Sequence, residues 1–212
     1  MEDAKCKICR RADRKLFLKG EKCFSPKCPM IKKAYPPGSA RKKRGRALSE
    51  YGKELKEKQK LKEWYGLRER QFSKYVRAVL EKAHRAKEAK NPAELLVNEL
   101  ESRLDSAVFR LGIAPNRAQA RQLVSHGHFL VNGKSVDIPS FSLRQGDKIS
   151  IRPHSLKKPG FGRLSENLKK YQAPSWLKLD KEKMEGEFVG IPNLGEVAPP
   201  AEISSIFEFY SR

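Results

Sequence analysis

The stretch ARQLVSHGHFLVNGK, residues 120–134, constrains the fold more than any other part of the chain. It joins the end of an amphipathic helix to a hairpin with an Asn-Gly pair at its tip, which is the strongest short-range hairpin signal. The helix has a start signal in Asn116, followed three residues later by Gln119, and Gly127 suits the left-handed position that ends a helix. The sequence therefore predicts a helix that turns directly into an antiparallel hairpin.

The segments on either side complete a small module. KISIRP, introduced by the turn RQGD, predicts a third strand. Upstream, Asn91-Pro92 followed by Glu94 predicts a helix start, and the apolar spacing continues as far as Gly112. Because so small a sheet has too little core to stand alone, it is expected to pack on the two helices.

Donor side chains concentrate at the corner between helix and hairpin. Arg117 and Arg121 lie one helical turn apart, with Gln122 beside them, and predict a compact donor cluster. His126 and His128 follow at the turn, with no further metal ligand at a sensible spacing. Their ordinary use is a hydrogen bond to backbone or phosphate.

The charge of the chain indicates its class of partner. The formal net charge is +21, with 38% of residues hydrophobic and 33% charged, so a modest and divided core is expected. Residues 1–90 carry 29 Lys and Arg against 11 Asp and Glu, whereas residues 91–212 carry 17 against 14. Nucleic acid is the favoured partner because binding phosphates releases condensed counterions. Neither a long apolar run nor a secretion signal appears, which predicts a cytoplasmic protein without a membrane partner.

Four cysteines occur within the first 28 residues, with the spacing C-x2-C-x13-C-x4-C. Two short loops that each offer two thiolates are typical of a tetrahedral metal site, and so small a segment gains its fold from the metal. The alternative to a metal site is two disulfide bonds, which a reducing compartment disfavours. Zinc is the expected ion, an iron–sulfur cluster is the less favoured one, and the site is expected to be structural. The predicted ligands are Cys6, Cys9, Cys23 and Cys28.

The segment after the cysteines is strongly basic, and its composition does not predict a packed fold. A solvated linker is one interpretation, and an arm that becomes ordered on RNA phosphates is the favoured one. The basic residues concerned are Arg41, Lys42, Lys43, Arg44 and Arg46. Residues 49–89 then show the helical period of 3.6, with an apolar stripe that includes Phe72, Val76 and Val79.

The segment ESRLDSAVFRLGIAPNRAQARQLVSHGHFLVNGKSVDIPSFSLRQGDKISI resembles the α-L RNA-binding domain, which is also found in pseudouridine synthases and tyrosyl transfer-RNA synthetases. LKGEKCFSPKC, YPPG, EKQKLKEWYG and FEFYSR are similar to the family of bacterial small-subunit ribosomal protein four, in its four-cysteine, metal-binding form. The expected fold class is α+β: an N-terminal four-cysteine metal knuckle, a helical domain, and an inserted α-L module of two helices and a small antiparallel sheet.

The resemblance implies an early assembly protein that binds small-subunit ribosomal RNA and supports translational accuracy, with small-subunit proteins three and five as neighbours. It also raises binding of the chain's own messenger RNA as an open hypothesis. The expected domains are the knuckle and basic arm over 1–47, the helical domain over 48–90, the α-L module over 91–155, and a C-terminal segment over 156–212 that packs back on the helical domain. The RNA-binding residues implied in the module are Arg103, Arg117, Gln119, Arg121, Gln122, His126, His128 and Lys134.

Two other classes of function fit the sequence less well. An RNA-modifying enzyme is disfavoured because the sequence shows neither a phosphate-binding glycine loop nor a nucleophile with an adjacent base. A zinc-containing DNA-binding regulator is disfavoured because a recognition helix with a dimerisation element is not evident. In the acidic C-terminal quarter, EFVGIP and ISSIFEFY are expected to form short strands.

Overall fold

The computed structural model describes residues 4–38, 47–85, 91–158, 161–162 and 164–212. In chain order the helices are α1 (Ala4–Ala12), α2 (Glu21–Phe24), α3 (Pro29–Lys32), α4 (Glu50–Tyr65), α5 (Glu69–Arg85), α6 (Pro92–Glu101), α7 (Leu104–Arg110), α8 (Arg117–Ser125), α9 (Pro153–Leu156), α10 (Leu164–Lys170), α11 (Leu194–Val197) and α12 (Ile203–Ser211). The strands are β1 (Phe129–Val131), β2 (Lys134–Val136), β3 (Lys148–Ile151), β4 (Leu177–Asp180) and β5 (Glu185–Phe188). None of the described helices has both the length and the apolar character needed to cross a membrane.

The chain folds into two compact units. Unit 1 consists of residues 1–93 and 198–212, and unit 2 consists of residues 94–197. The expected boundary at 155/156 does not coincide with a boundary between these units. Residues 156–197 lie in unit 2, where β4 and β5 extend the sheet, and residues 198–212 return to the helices of unit 1.

Two long helices form the centre of unit 1, as the periodicity of residues 49–89 predicts. The Ser49 hydroxyl accepts a hydrogen bond from the Gly52 N–H at the start of α4. Gly66, at φ +63°, ends that helix in the left-handed conformation before α5 begins. Phe72 on α5 is fully buried, so the predicted apolar stripe is a packed face.

The C-terminal helix α12 packs on α4 and α5, and the strand expected over ISSIFEFY is wrong. Ile203 and Ile206 are both buried, and their spacing of three residues places them on one helical face. Two polar contacts hold the end of the helix. The Tyr210 hydroxyl donates to Glu69 at 2.9 Å, and Arg212 donates to Glu54 at 2.7 Å.

In unit 2, the single helix expected between Pro92 and Gly112 is interrupted after Glu101. Arg103 has extended backbone angles (φ −68°, ψ 140°) and forms an isolated antiparallel bridge with Ser142. The Leu104 N–H donates to the carbonyl of Phe141 at 2.9 Å. Apolar periodicity continues across this break because α7 resumes with its buried face toward the same core, which is why the sequence suggests one helix.

The sheet of unit 2 is antiparallel, in the order β2-β1-β3-β5-β4. Its first three strands confirm the predicted hairpin and third strand. Asn132 and Gly133 form the two-residue turn with φ values of +50° and +77°, the two positive values that a type I′ turn requires. Of the strand expected over EFVGIP, only the first two residues are realised, as the last two residues of β5.

Candidate nucleic-acid interface and cysteine cluster

The predicted corner exists in unit 2 with the expected local structure. The Asn116 side chain accepts a hydrogen bond from the Gln119 N–H at 2.9 Å and caps α8. Gly127, at φ +68°, then reverses the chain into β1. Around this turn the implied RNA-binding residues with exposed side chains are Gln119, Gln122, His126 and Lys134.

The arginines implied in RNA binding are engaged within the protein. Glu101 is fully buried, and its carboxylate accepts hydrogen bonds from Arg110 and Arg117, each with a shortest distance of 2.9 Å. The Arg117 guanidinium also lies over the ring of Phe109, 4.6 Å from its centroid. The buried charge of Glu101 is thus balanced by two cations.

A second buried carboxylate repeats the arrangement. The Asp105 carboxylate accepts two hydrogen bonds from the Arg103 guanidinium, at 3.0 and 2.7 Å. The Arg103 side chain is 3% exposed and that of Asp105 is 6% exposed. Arg121 donates to the same carboxylate at 3.0 and 3.1 Å, and its side chain remains 30% exposed. Arg121 is therefore the most accessible of the implied arginines that join this network.

The predicted donor cluster of Arg117 and Arg121 is consequently an ion-pair network. We call the set Glu101, Asp105, Arg103, Arg110, Arg117 and Arg121 the arginine–carboxylate network. It ties α6, α7 and α8 together through fully charged hydrogen bonds, which are stronger than neutral ones. The RNA-binding roles of Arg103 and Arg117 stay predictions, and the structure gives these two side chains a packing role.

Glu101 and Asp105 were not anticipated as members of the site. Their signal was present in the sequence, because the two acids are four residues apart, as are Arg117 and Arg121. On the continuous helix that the sequence predicts, this spacing places both acids on one face, and Arg117 and Arg121 share a face of the next helix. The spacing alone does not show that the two faces meet, because that depends on how the helices pack.

His128 is also occupied inside the protein. Its Nδ1 atom lies 2.9 Å from the Ser155 hydroxyl in a buried hydrogen bond, and its ring meets Phe161 edge to face with centroids 5.5 Å apart. Burial lowers the pKa of the His128 ring below its ordinary value, and the positive charges of Lys158 and Arg152 act in the same direction. The hydroxyl of Ser155 is thus one hydrogen-bond partner of His128, and the RNA-binding role of His128 stays a prediction.

In unit 1, the four cysteines line one pocket together with Phe17, Leu18 and Met30. Cys9, Cys23 and Cys28 are buried thiols, and desolvation raises the pKa of the Cys9 thiol. In the parts of the chain that the structure describes, no group of three or more His, Cys, Asp or Glu has the geometry of a metal site. The predicted basic arm, Arg41 to Arg46, lies outside the described residues.

Comparison with known proteins identifies the family. Residues 1–97 match the ribosomal protein S4/S9 N-terminal domain, and residues 102–149 match the S4 domain. Small ribosomal subunit protein uS4A of Alkaliphilus metalliredigens is 45% identical over 213 residues, covering 99% of this chain and 98% of the relative. Protein uS4 of Thermus thermophilus is 44% identical, and that of Thermotoga maritima 42%, each with 98% of this chain and 96% of the relative covered. The chain belongs to the small ribosomal subunit protein uS4 family.

Proposed function

We propose that this chain is a non-catalytic constituent of the small ribosomal subunit that binds small-subunit ribosomal RNA directly. The observation that carries the proposal is the corner between α8 and the hairpin, where Gln122, His126 and Lys134 are exposed around a tightly defined turn. The Asn116 cap and the arginine–carboxylate network fix helix α8, and the Asn132-Gly133 turn fixes the hairpin. A rigid set of donors suits a folded RNA.

The chemistry of the corner fits an RNA backbone better than a base sequence. A-form RNA offers phosphates and 2′-hydroxyls along a wide, shallow minor groove, and its deep groove is too narrow for side-chain reading. Lys134 supplies a phosphate-binding cation, and Gln122 can both donate to and accept from a 2′-hydroxyl. Such contacts position a protein on RNA without reading its sequence.

The same proposal includes the finer roles implied by the resemblance: early binding during assembly, support of translational accuracy, small-subunit proteins three and five as neighbours, and a place on the cytoplasmic ribosome. Binding of the chain's own messenger RNA is a further hypothesis. It is rejected if purified protein leaves the translation of that message unchanged in a cell-free system.

The RNA-binding corner is tested with Lys134→Ala and Gln122→Ala, because both side chains are exposed and absent from the arginine–carboxylate network. We expect Lys134→Ala to weaken binding to small-subunit ribosomal RNA and to reduce the slope of log affinity against log salt by about 1. Titrations at several salt concentrations, with competitor duplex DNA, measure both quantities.

The matched control is Lys178→Ala, which removes an exposed lysine from β4, at the opposite edge of the sheet from the hairpin. If Lys134→Ala binds like the parent chain, or if Lys178→Ala lowers affinity and slope equally, the corner is not the RNA contact. Tighter binding to duplex DNA than to ribosomal RNA would reject the proposed function altogether.

We further propose that Cys6, Cys9, Cys23 and Cys28 hold a structural zinc ion, with an iron–sulfur cluster as the less favoured occupant. Four sulfur donors lining one pocket are a donor set that both groups accept. When bound, the metal supplies a cross-link between the segments before and after Leu16. Elemental analysis of protein purified without oxygen tests the assignment: one zinc per chain is expected, iron with sulfide would identify a cluster, and neither metal would reject the site.

A further inference from the structure

Two aromatic rings of unit 1 stack on each other at the protein surface. Phe17 and Phe24 have ring centroids 4.9 Å apart and planes inclined by 27°. Phe17 is 40% exposed and Phe24 is 75% exposed. Each ring therefore covers part of the other, and most of Phe24 still faces water, although burial of a phenylalanine is strongly favourable.

The backbone of Phe17 adds a second observation. Its φ is +53°, in the left-handed region that bulky residues rarely adopt. A strained backbone persists only when the surroundings hold it, and such residues concentrate at functional sites. Here the strained conformation accompanies a ring that stays at the surface beside Phe24.

The surroundings of the pair are strongly basic. Residues 4–38 carry 11 Lys and Arg against 2 Asp and Glu. Lys22 and Lys27, both exposed, precede and follow Phe24 by two and three residues. The two rings and the nearby lysines suit the two parts of a nucleotide. A base stacks on an aromatic ring, and the phosphate is attracted to the lysine ammonium groups.

We propose that Phe17 and Phe24 form a stacking platform for an unpaired base of RNA, a site separate from the corner in unit 2. The inference rests on the proposed function in taking small-subunit ribosomal RNA as the source of that base. Bases in loops and bulges are available for stacking on aromatic side chains, whereas bases within a duplex are not. The ligand is thus an extruded nucleobase with its adjoining phosphates.

Substitutions at Phe24 separate stacking from simple apolar contact. Phe24→Leu keeps an apolar side chain but removes the π face, and Phe24→Trp enlarges that face. In the full-length chain we expect Phe24→Leu to bind small-subunit ribosomal RNA about tenfold more weakly, and Phe24→Trp to bind as the parent chain does. Ile31→Ala is the matched control, because Ile31 is an apolar side chain of the same segment with 56% exposure.

Two further measurements identify the ligand as an unpaired base. Chemical probing of the bases should show at least one nucleotide protected by the parent chain and by Phe24→Trp but reactive with Phe24→Leu. A perfectly paired RNA duplex should bind the parent chain and Phe24→Leu equally. Circular dichroism and metal content of each variant establish that the N-terminal segment is folded.

The proposal is overturned if Phe24→Leu retains the parent affinity for ribosomal RNA, or if Phe24→Leu and Phe24→Trp weaken that affinity equally. It is also overturned if Phe24→Leu loses affinity for the perfectly paired duplex. Those outcomes leave the proposed function standing, provided that Lys134→Ala still weakens binding. A parent chain that does not prefer small-subunit ribosomal RNA over unrelated RNA would instead reject the proposed function.

Discussion

The two units of the chain use their positive charges in different ways. Unit 1 contains 30 Lys and Arg against 13 Asp and Glu, and unit 2 contains 16 against 12. In unit 2, four arginines pair with two buried carboxylates, whereas α5 of unit 1 carries exposed Arg70, Lys74 and Arg77 along one side. Net charge therefore overstates the cationic surface of unit 2, because its arginines also serve as internal cross-links.

The N-terminal segment of unit 1 differs from unit 2 in the amount of apolar surface that it buries. Unit 2 has a conventional core that includes Leu100, Phe129 and Ile149, each fully buried. In residues 4–38, the buried hydrophobic side chains that the structure describes are those of Cys9, Leu16, Cys23 and Cys28. One leucine and three thiols bury too little apolar surface to offset chain entropy. A cross-link is therefore expected to contribute more to the stability of this segment than to that of unit 2.

Metal removal is expected to give the largest difference between the units. If zinc holds the cysteines, a strong chelator should unfold residues 4–38, because apparent binding energies of structural zinc are about 10–16 kcal/mol. Unit 2 should keep its stability. Hydrogen exchange read by mass spectrometry measures both regions in one sample, and added zinc should restore protection. Equal protection of residues 4–38 with and without chelator would contradict the dependence on metal.

Glu101→Ala is expected to give the next largest effect, confined to unit 2. It leaves Arg110 and Arg117 close together without their shared carboxylate, and breaking a buried pair costs about 3–5 kcal/mol. Each unit contains one tryptophan, so a Trp64→Phe background makes buried Trp176 the reporter of unit 2 during urea unfolding.

The control for Glu101→Ala is Glu182→Ala, which removes an exposed carboxylate from the same unit. The urea midpoint reported by Trp176 should change little, because exposed charges contribute little to stability. A midpoint for Glu101→Ala that equals the control would show that the arginine–carboxylate network does not stabilise unit 2.

The sequence predicted local structure well where a few residues decide it. The Asn116 cap, the left-handed Gly127 and the Asn-Gly turn are each dictated by short-range chemistry, and all three are observed. The break before Leu104 was missed because it depends on hydrogen bonds with residues 139–143, which are distant in sequence. Tertiary pairing of this kind leaves no mark on helical periodicity.

The candidate site was predictable to a different degree. Residue types and spacing located the corner, and exposed Gln122, His126 and Lys134 lie there as expected. The burial of Arg103 and His128 was not predictable, because it depends on Asp105 and Ser155 as partners. A donor-rich motif indicates where charge lies in the sequence, and only packing decides which donors face solvent.

Gly112→Ala tests how closely the core of unit 2 is packed. A Cβ at Gly112 would lie 2.8 Å from ring atoms of Tyr171, and its φ of +76° strains any L side chain. Gly146→Ala is the matched control, with φ +89° and open space around the added carbon. Overpacking costs about 1–3 kcal/mol, so Gly112→Ala should be less stable than the control by that amount in urea unfolding. Equal stability would mean that the Tyr171 ring moves aside freely.

The smallest effect concerns pH and belongs to unit 2, through His128. Burial lowers the pKa of this ring in the folded state, so the unfolded chain binds a proton first as pH falls below the ordinary value of 6.5. The free energy of unfolding should therefore decrease with falling pH, by at most about 1.4 kcal/mol per pH unit, from pH 6.5 toward the lowered folded value. His128→Asn should show a shallower decrease between pH 6.5 and 5, whereas His154→Gln, which replaces an exposed ring, should follow the parent chain. If the free energy of unfolding of His128→Asn falls with pH in parallel with that of the parent chain, protonation of this ring does not contribute to the acid sensitivity of unit 2.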